Sequence, residues 1–302
     1  MGMLITFFTP TYNRADILHR CYESLQNQSS YDFKWIIIDD GSTDNTAEVV
    51  AEWIEKENRF PIEYIYKENQ GMYSVFNKAM EIIDTPLCVC FESDDRFAPE
   101  TMDIVLRNWE IIKNDDHLIG FTTPCIFEDG SIIGKWFPDD LKEMKYYDRF
   151  IKYSIPGDKT NVYKTEILKK GAPLPVFEGE KCLNPTYMMY KADRYGYLLV
   201  SNEAFCITEY REGGMTDTVF WQYYNSPNSF AYMRKEAMQL PGASAKLIFK
   251  LNIHYVAECC LANKLSKAVK ESPKKGYTVL AFGPGVVLSF WIRYKNKGKS
   301  KN

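Results

Sequence analysis

The chain has 302 residues, 45% of them apolar and 25% charged, with a formal charge of −3. A chain of that length and composition buries a sizeable core, which excludes an intrinsically disordered or fibrous protein. Near-balanced charge also excludes a protein that holds nucleic acid by bulk electrostatics.

The first 125 residues alternate between two patterns. Residues 4–8 are an apolar run closed by Thr9-Pro10, and Ile17, Leu18, Cys21, Tyr22 and Leu25 then recur at helical spacing. Residues 35–38 form a second run, closed by Asp39-Asp40-Gly41, and Val49, Val50, Trp53 and Ile54 mark a second helix. Residues 62–66 are a third strand, followed by the helical face of Val75, Phe76, Ala79, Met80 and Ile83. Residues 87–91 are a fourth strand, and a helix runs from about Pro99 to Lys113 with proline in its first turn. This alternation predicts an α/β fold: a mostly parallel, Rossmann-like sheet with helices on both faces. The uninterrupted apolar strands agree, because such strands are covered on both sides.

After residue 125 the regularity fades. Gly130 and Gly134 bracket a short strand and suggest a hairpin; residues 173–185 read as loop. Residues 187–195 read as helix, and 198–200 and 205–208 as strands. From residue 230 onward the pattern is helical, to 238 and again over 246–263. Residues 277–292 are almost wholly apolar, but they number 16, fewer than the roughly 20 that a spanning helix needs. Arg293, Lys295, Lys297, Lys299 and Lys301 follow, a pattern that fits a membrane-surface segment over 277–302 or a C-terminal helix with a basic tail.

Eight cysteines without a C-x-x-C pair, and three scattered histidines, point to reduced thiols and away from zinc. The start, Met1-Gly2-Met3-Leu4, lacks the basic and long apolar stretches of a signal peptide, so a cytoplasmic location is expected.

Ligands of open parallel sheets bind beyond the carboxyl ends of the strands. Four polar segments fall there, at 9–14, 39–44, 67–71 and 92–95, and should converge on one edge. Neither G-x-G-x-x-G nor G-x-x-x-x-G-K-[ST] occurs, which excludes P-loop ATPase, kinase and dinucleotide dehydrogenase chemistry. Ser93-Asp94-Asp95 places two carboxylates side by side; they repel unless a cation or hydrogen bonds offset them. Hard oxygen ligands suit Mg²⁺ or Mn²⁺, ions that bring substrate phosphates into their shell. Asp39-Asp40-Gly41-Ser42-Thr43-Asp44 serves equally as a turn and helix N-cap.

The ordered set Thr9-Pro10-Thr11-Tyr12-Asn13-Arg14, Ile38-Asp39-Asp40-Gly41-Ser42-Thr43-Asp44, Glu68-Asn69-Gln70-Gly71 with Asn77, and Ser93-Asp94-Asp95 resembles the family 2 glycosyltransferases of GT-A fold, of the bacterial surface-polysaccharide type. The resemblance is specific over residues 3–125 and traceable to 216. It implies an inverting transfer of a sugar from a nucleotide-sugar, most often a UDP-sugar, to an acceptor hydroxyl of a glycan or lipid-linked acceptor. On the matching positions, Thr11 and Tyr12 would line the base and ribose pocket beside Arg14. Asp40 would hydrogen-bond the nucleobase, Asp39 would support that loop, and Asn69 and Gly71 would shape the nucleotide side. Asp94 would meet ribose or donor sugar, and Asp95 would coordinate Mn²⁺ or Mg²⁺ on the diphosphate.

Two departures stand out. Met72-Tyr73-Ser74-Val75-Phe76 is bulkier than the family's small or basic residues. Where the family places an acid before a helix, this chain has Asn184-Pro185-Thr186. Glu180 is then the expected general base, with Glu178 second. Tyr210-Arg211-Glu212-Gly213-Gly214-Met215-Thr216 looks like the family's closing segment over the diphosphate. The expected organisation is a transferase domain over 1–216, with a nucleotide half (1–125) and an acceptor half (126–216), then a helical region over 217–302. The rival readings are a sugar-nucleotide-binding subunit that has lost its base, and a sugar nucleotidyltransferase. The latter is disfavoured because residues 9–16 lack glycine and hold only Arg14 as a base. The partners expected are a nucleotide-sugar, the acceptor and a membrane surface on the cytoplasmic side, with no nucleic acid.

Overall fold

A computed structural model describes residues 2–209 and 219–298. Its strands are β1 (Ile5–Thr11), β2 (Phe33–Asp39), β3 (Ile62–Tyr66), β4 (Leu87–Cys90), β5 (Arg96–Phe97), β6 (Leu118–Ile126), β7 (Glu143–Met144), β8 (Lys159–Lys164), β9 (Tyr197–Val200) and β10 (Cys206–Ile207). Its helices are α1 (His19–Gln26), α2 (Thr46–Ile54), α3 (Met72–Ile82), α4 (Thr101–Ile112), α5 (Asp148–Ile151), α6 (Thr165–Lys169), α7 (Thr186–Ala192), α8 (Val219–Asn225), α9 (Pro227–Ala237), α10 (Ala245–Leu261), α11 (Ala268–Glu271), α12 (Lys275–Leu280) and α13 (Phe282–Lys295).

The described residues divide into two compact units. One comprises Met1–Asn69, Val75–Pro173 and Lys191–Glu209; the other comprises Gln70–Ser74, Leu174–Tyr190 and the described part of Tyr210–Asn302. Residues 174–190, expected within the 1–216 domain, therefore group with the C-terminal helices.

The first unit holds the whole sheet, ordered β3-β2-β1-β4-β8-β6-β10-β5, with β9 beside β6 and β7 beside β9. β3, β2, β1 and β4 run parallel, as the alternation predicts. Adjacent strand residues point to opposite faces. Phe7 enters the core shared by Cys21 and Leu25 of α1, Val50 and Trp53 of α2, and Met102 and Val105 of α4. Phe8, on the other face, meets Phe76 of α3 edge-on at 5.1 Å. Helices thus cover both faces, and each large side chain fully buried between them contributes about 1.5–3 kcal/mol.

β1 runs three residues beyond the expected strand, pairing Thr9, Pro10 and Thr11 with Ile37, Ile38 and Asp39. Pro10 is tolerated because the β4 ladder ends at Phe8, so its missing N–H costs no pairing on that side. Past β4 the sheet becomes mixed: β8 is antiparallel to both β4 and β6. The hairpin expected across 130–134 forms as a short antiparallel return on the end of β6: Ile126 bridges Ile132, Phe127 N donates to Ser131 O at 2.8 Å and Ile133 N to Cys125 O at 3.0 Å.

In the second unit α9, α12 and α13 pack on α10: α9 around Ala231, Met238, Leu251, Tyr255 and Cys259, and α13 around Ala257, Leu261 and Ile292. Ser244 caps α10, its Oγ accepting from Leu247 N at 3.2 Å. The apolar run 277–292 is two helices, broken at Ala281; Pro284 sits in the first turn of α13, where no helical hydrogen bond is lost. Among the described residues no helix is long and apolar enough to cross a membrane. All eight cysteines are free.

Candidate functional site

In the first unit, strand register sets Thr11, Asp39 and Tyr66 side by side at the carboxyl edge of β1, β2 and β3. Two loops beyond that edge are stitched together. Asn13 takes a left-handed conformation (φ 51°), which its short polar side chain tolerates. Its Oδ1 accepts from Thr43 N at 2.8 Å, and its N donates to Ser42 Oγ at 2.8 Å. Ala15 N donates to Asp44 Oδ2 at 3.1 Å.

Asp39 is buried; its Oδ1 accepts from Ser42 N at 2.7 Å and its Oδ2 from the Tyr64 hydroxyl at 2.5 Å. Asp40 is buried and accepts from Lys67 Nζ at 2.6 Å, while its N donates to Thr11 O at 2.9 Å. Gly41 has φ +87°, and a Cβ there would lie 2.8 Å from Asn69 N, so only glycine lets the third loop close on the second. Thr11 Oγ1 is buried and has no hydrogen-bond partner among the described residues. Such an atom costs roughly 1–3 kcal/mol, which an incoming polar ligand group would relieve. Tyr12 is exposed beside it.

The strand order reverses between β1 and β4, and that switch point opens the crevice where α/β sheets take ligands. Arg14 from the β1 side lies 4.0 Å from Asp94 on the β4 side. Asp95 is buried and its Oδ2 accepts from Cys206 Sγ at 3.3 Å. Cys21 Sγ donates to the Asp95 and Glu92 carbonyls at 3.3 and 3.5 Å, fixing the turn. Burial pushes the Asp95 carboxyl up to about 7; hydrogen bonds from Cys206 and Thr208 oppose this, and the charges of Asp94 and Asp158 add to it. The protein walls around Glu92, then Asp95, Asp94 and Asp158, push its carboxyl up to about 8, although its side chain still meets solvent.

Asp95, Asp94 and Asp158 outweigh Arg14 in their effect on Glu92, so negative charge predominates at this turn. Among the described residues no group of three or more His, Cys, Asp or Glu could hold a metal ion by itself. The Asp94 and Asp95 carboxyls are hard oxygen donors of the kind divalent ions take, too few to enclose an ion without oxygen ligands from elsewhere.

Thr11, Asp39, Asp40 and Asn69 meet at one edge as expected, and Arg14, Asp94 and Asp95 meet at the switch point. Sequence reasoning missed Lys67 and Tyr64, which hold Asp40 and Asp39. Lys67 carried a signal, since it opens a segment already placed at the edge. Asp158 carried none, because the antiparallel β8 that follows it was not legible.

In the second unit, Gly71 has φ +95°, and a Cβ there would sit 1.9 Å from Lys181 O. The glycine is required by that chain crossing, whatever its part in nucleotide binding. Glu180, only 6% exposed, caps α9: Oε1 accepts from Asn228 N (2.8 Å) and Nδ2 (2.7 Å), and Oε2 from Ser229 N and Oγ, both 2.7 Å. Helix N-terminal N–H groups hold an anion well. A general base needs a lone pair facing the acceptor, and Glu180 spends its oxygens on this helix instead. Glu178 is exposed. Asn184 Oδ1 accepts from Thr186 N at 2.9 Å at the start of α7, so the position of the expected acid is a capped helix start. The expected closing segment, 210–216, lies outside the described residues.

The family model for glycosyl transferase family 2 matches residues 6–171. The chain belongs to glycosyl transferase family 2. This family 2 chain is 31% identical over 135 residues to chondroitin synthase of Pasteurella multocida (strain Pm70), a stretch that is 44% of this chain and 14% of the synthase. The chain spans less than two thirds of such curated relatives; for two from Bacillus subtilis the shares are 38% and 59%. Among solved structures, residues 1–349 of Staphylococcus aureus TarS with UDP-GlcNAc superpose with TM-score 0.60 at 16% identity, covering 94% of this chain and 81% of that one. The mannosyltransferase PcManGT of Pyrobaculum calidifontis, with GDP-Man and Mn²⁺, gives TM-score 0.57 at 14% identity, covering 96% and 88%. At such identity these likenesses show the fold of the family 2 chain, a GT-A arrangement.

Proposed function

We propose that this chain is an inverting, metal-dependent glycosyltransferase. It moves a sugar from a nucleotide-sugar, a UDP-sugar by preference, to an acceptor hydroxyl in polysaccharide or glycolipid synthesis. The observation that carries the reading is the edge where the unpartnered Thr11 hydroxyl and buried Asp40 stand beside the Arg14–Asp94 crossing of the switch point. TarS with UDP-GlcNAc and the polymer made by chondroitin synthase support the donor and product classes.

Thr11 and Tyr12 line the base and ribose, with Arg14 alongside. Asp40 hydrogen-bonds the nucleobase; Asp39, locked by Tyr64 and Ser42, keeps that loop in place. Asn69 and Gly71 shape the nucleotide side, and Asp94 meets ribose or donor sugar. Asp95 would hold Mn²⁺ or Mg²⁺. When bound, that ion stabilises the negative charge growing on the leaving group. The chain positions the acceptor for in-line attack opposite the leaving diphosphate. Of the two expected bases, Glu178 has the exposed carboxylate, so it takes the acceptor proton, and Glu180 positions its loop by anchoring α9. The acceptor is a glycan or lipid-linked sugar, met at the cytoplasmic face of a membrane.

One observation favours a second reading, a sugar-nucleotide-binding subunit without turnover: Thr186 replaces the expected acid and the Glu180 oxygens are occupied. A screen of UDP-, GDP-, CDP- and TDP-sugars with Mn²⁺ separates the two, with nucleotide release and thermal stabilisation both recorded. Release from one donor supports the transferase. Metal-dependent stabilisation by UDP, with no release from any donor alone or with candidate acceptors, supports the binding subunit. Absence of any nucleotide binding contradicts both.

A further inference from the structure

The last two helices are built inside out. The side of α13 turned to the protein carries Gly285, Ser289 and Ile292, with Asn296 just beyond. Gly285 lies so close to α10 that a Cβ there would be 2.5 Å from the Val256 side chain. Asn296 Nδ2 donates to Phe220 O at 3.1 Å. The solvent side carries Val287, 68% exposed, Phe290, 63%, and Tyr294, 76%, with Trp291 at its margin. α12 repeats the arrangement: Thr278 is buried and donates to Asn252 Oδ1 at 2.6 Å, while Leu280 is 70% exposed. A helix on a body surrounded by water does the reverse, apolar side in and polar side out.

Charge is the second observation. Residues 264–302 hold ten Lys and Arg and one acid, whereas the preceding 263 hold 27 Lys and Arg and 39 acids. In a protein that is acidic as a whole, the segment with the exposed apolar helices carries a large excess of positive charge. Protein interfaces are depleted of lysine at their centres, and a two-fold contact of this face with a second copy would oppose like charges. An anionic lipid surface satisfies both features.

We infer that the outer face of α12 and α13 docks on an anionic bilayer, Leu280, Val287 and Phe290 entering the acyl boundary. Trp291 and Tyr294 sit at headgroup level, where amphipathic rings are favoured. Lys274, Lys275, Arg293, Lys295 and Lys297 meet the lipid phosphates. α13 has 14 residues, too few to cross, so it lies in the plane of the interface. The inference goes beyond the transferase reading and stands on this surface alone.

The test is co-sedimentation of the full chain with phosphatidylcholine vesicles, with and without about 30% phosphatidylglycerol. Binding is expected on the anionic vesicles only, and it should weaken in roughly 0.5 M salt. The double substitution Val287→Ser with Phe290→Ser should lower partitioning about tenfold or more while the thermal melt stays in place. Arg293→Glu with Lys295→Glu should abolish the preference for anionic vesicles. Absence of binding, equal binding to both vesicles, or unchanged binding by the serine variant overturns the inference. So does a dimer in solution that the serine variant converts to monomer, since a second copy would then cover this face.

Discussion

Lys67 Nζ lies 2.6 Å from Asp40 Oδ1, where the ends of β3 and β2 meet at the carboxyl edge of the sheet. Asp40 is buried, and the ammonium against its carboxylate offsets part of the cost of that burial. Removing one partner of a buried pair leaves the other uncompensated. Lys67→Met is expected to cost about 3 kcal/mol, seen as a lower urea midpoint, and to weaken UDP binding with it.

The Tyr64 hydroxyl holds Asp39 Oδ2 while Ser42 N holds Oδ1. Tyr64→Phe keeps the ring packing and removes one hydrogen bond to a charged group. A loss of roughly 1.5–3 kcal/mol is expected on the same urea measurement. If that loop meets the nucleobase as proposed, donor KM should rise more than kcat falls, because the loop loosens while the 94–95 turn is untouched.

Glu178 and Glu180 should part company under mutation. Glu180→Ala strips the start of α9 of four hydrogen bonds and is expected to cost about 2–4 kcal/mol in thermal or urea unfolding. Glu178→Gln should leave unfolding unchanged and lower sugar transfer by about 10²-fold or more.

A buried polar pair in the second unit gives opposing pH slopes. Burial pushes the Glu258 carboxyl up to about 7, against the attraction of Arg234. A raised acid pKa means stability is full below the unfolded value near 4.5 and is lost as pH rises towards 7. Burial, then Arg234 and Lys250, depress His254 to about 4. A lowered imidazole pKa means stability is present above about 6.5 and is lost as pH falls towards 4. In the shared window the two slopes offset each other. Urea titrations between those limits should show Glu258→Gln losing more stability than wild type on acidification, and His254→Asn losing more as pH rises.

Much of the fold was legible from residues. The runs at 4–8, 35–38, 62–66 and 87–91 are continuous because both faces of a parallel sheet are covered, and those four strands form as read. β9 and β10 fall on the runs read at 198–200 and 205–208, but the antiparallel β8 and the two-residue β5 and β7 were not legible, because their pairing is set by distant partners and not by periodicity. Asp39, Asp40, Asp94 and Asp95 could be placed because they end apolar strands. Lys67 opens a segment already placed at the edge, but its pairing with Asp40, like that of Tyr64 with Asp39, depends on the register of β2 with β3, which no local pattern reveals. The anchoring of Glu180 was hidden for the same reason, since Asn228 and Ser229 lie far along the chain. The apolar segment at 277–292 was visible, but which side of it faces out is decided by the close approach of Gly285 to α10.

Titration of UDP into the protein by calorimetry, with and without Mn²⁺, tests the central claim most directly. The transferase account expects binding that strengthens with Mn²⁺, and Asp95→Asn binding that no longer responds to the metal. UDP that fails to bind, or that binds equally with and without Mn²⁺ in both proteins, would contradict it.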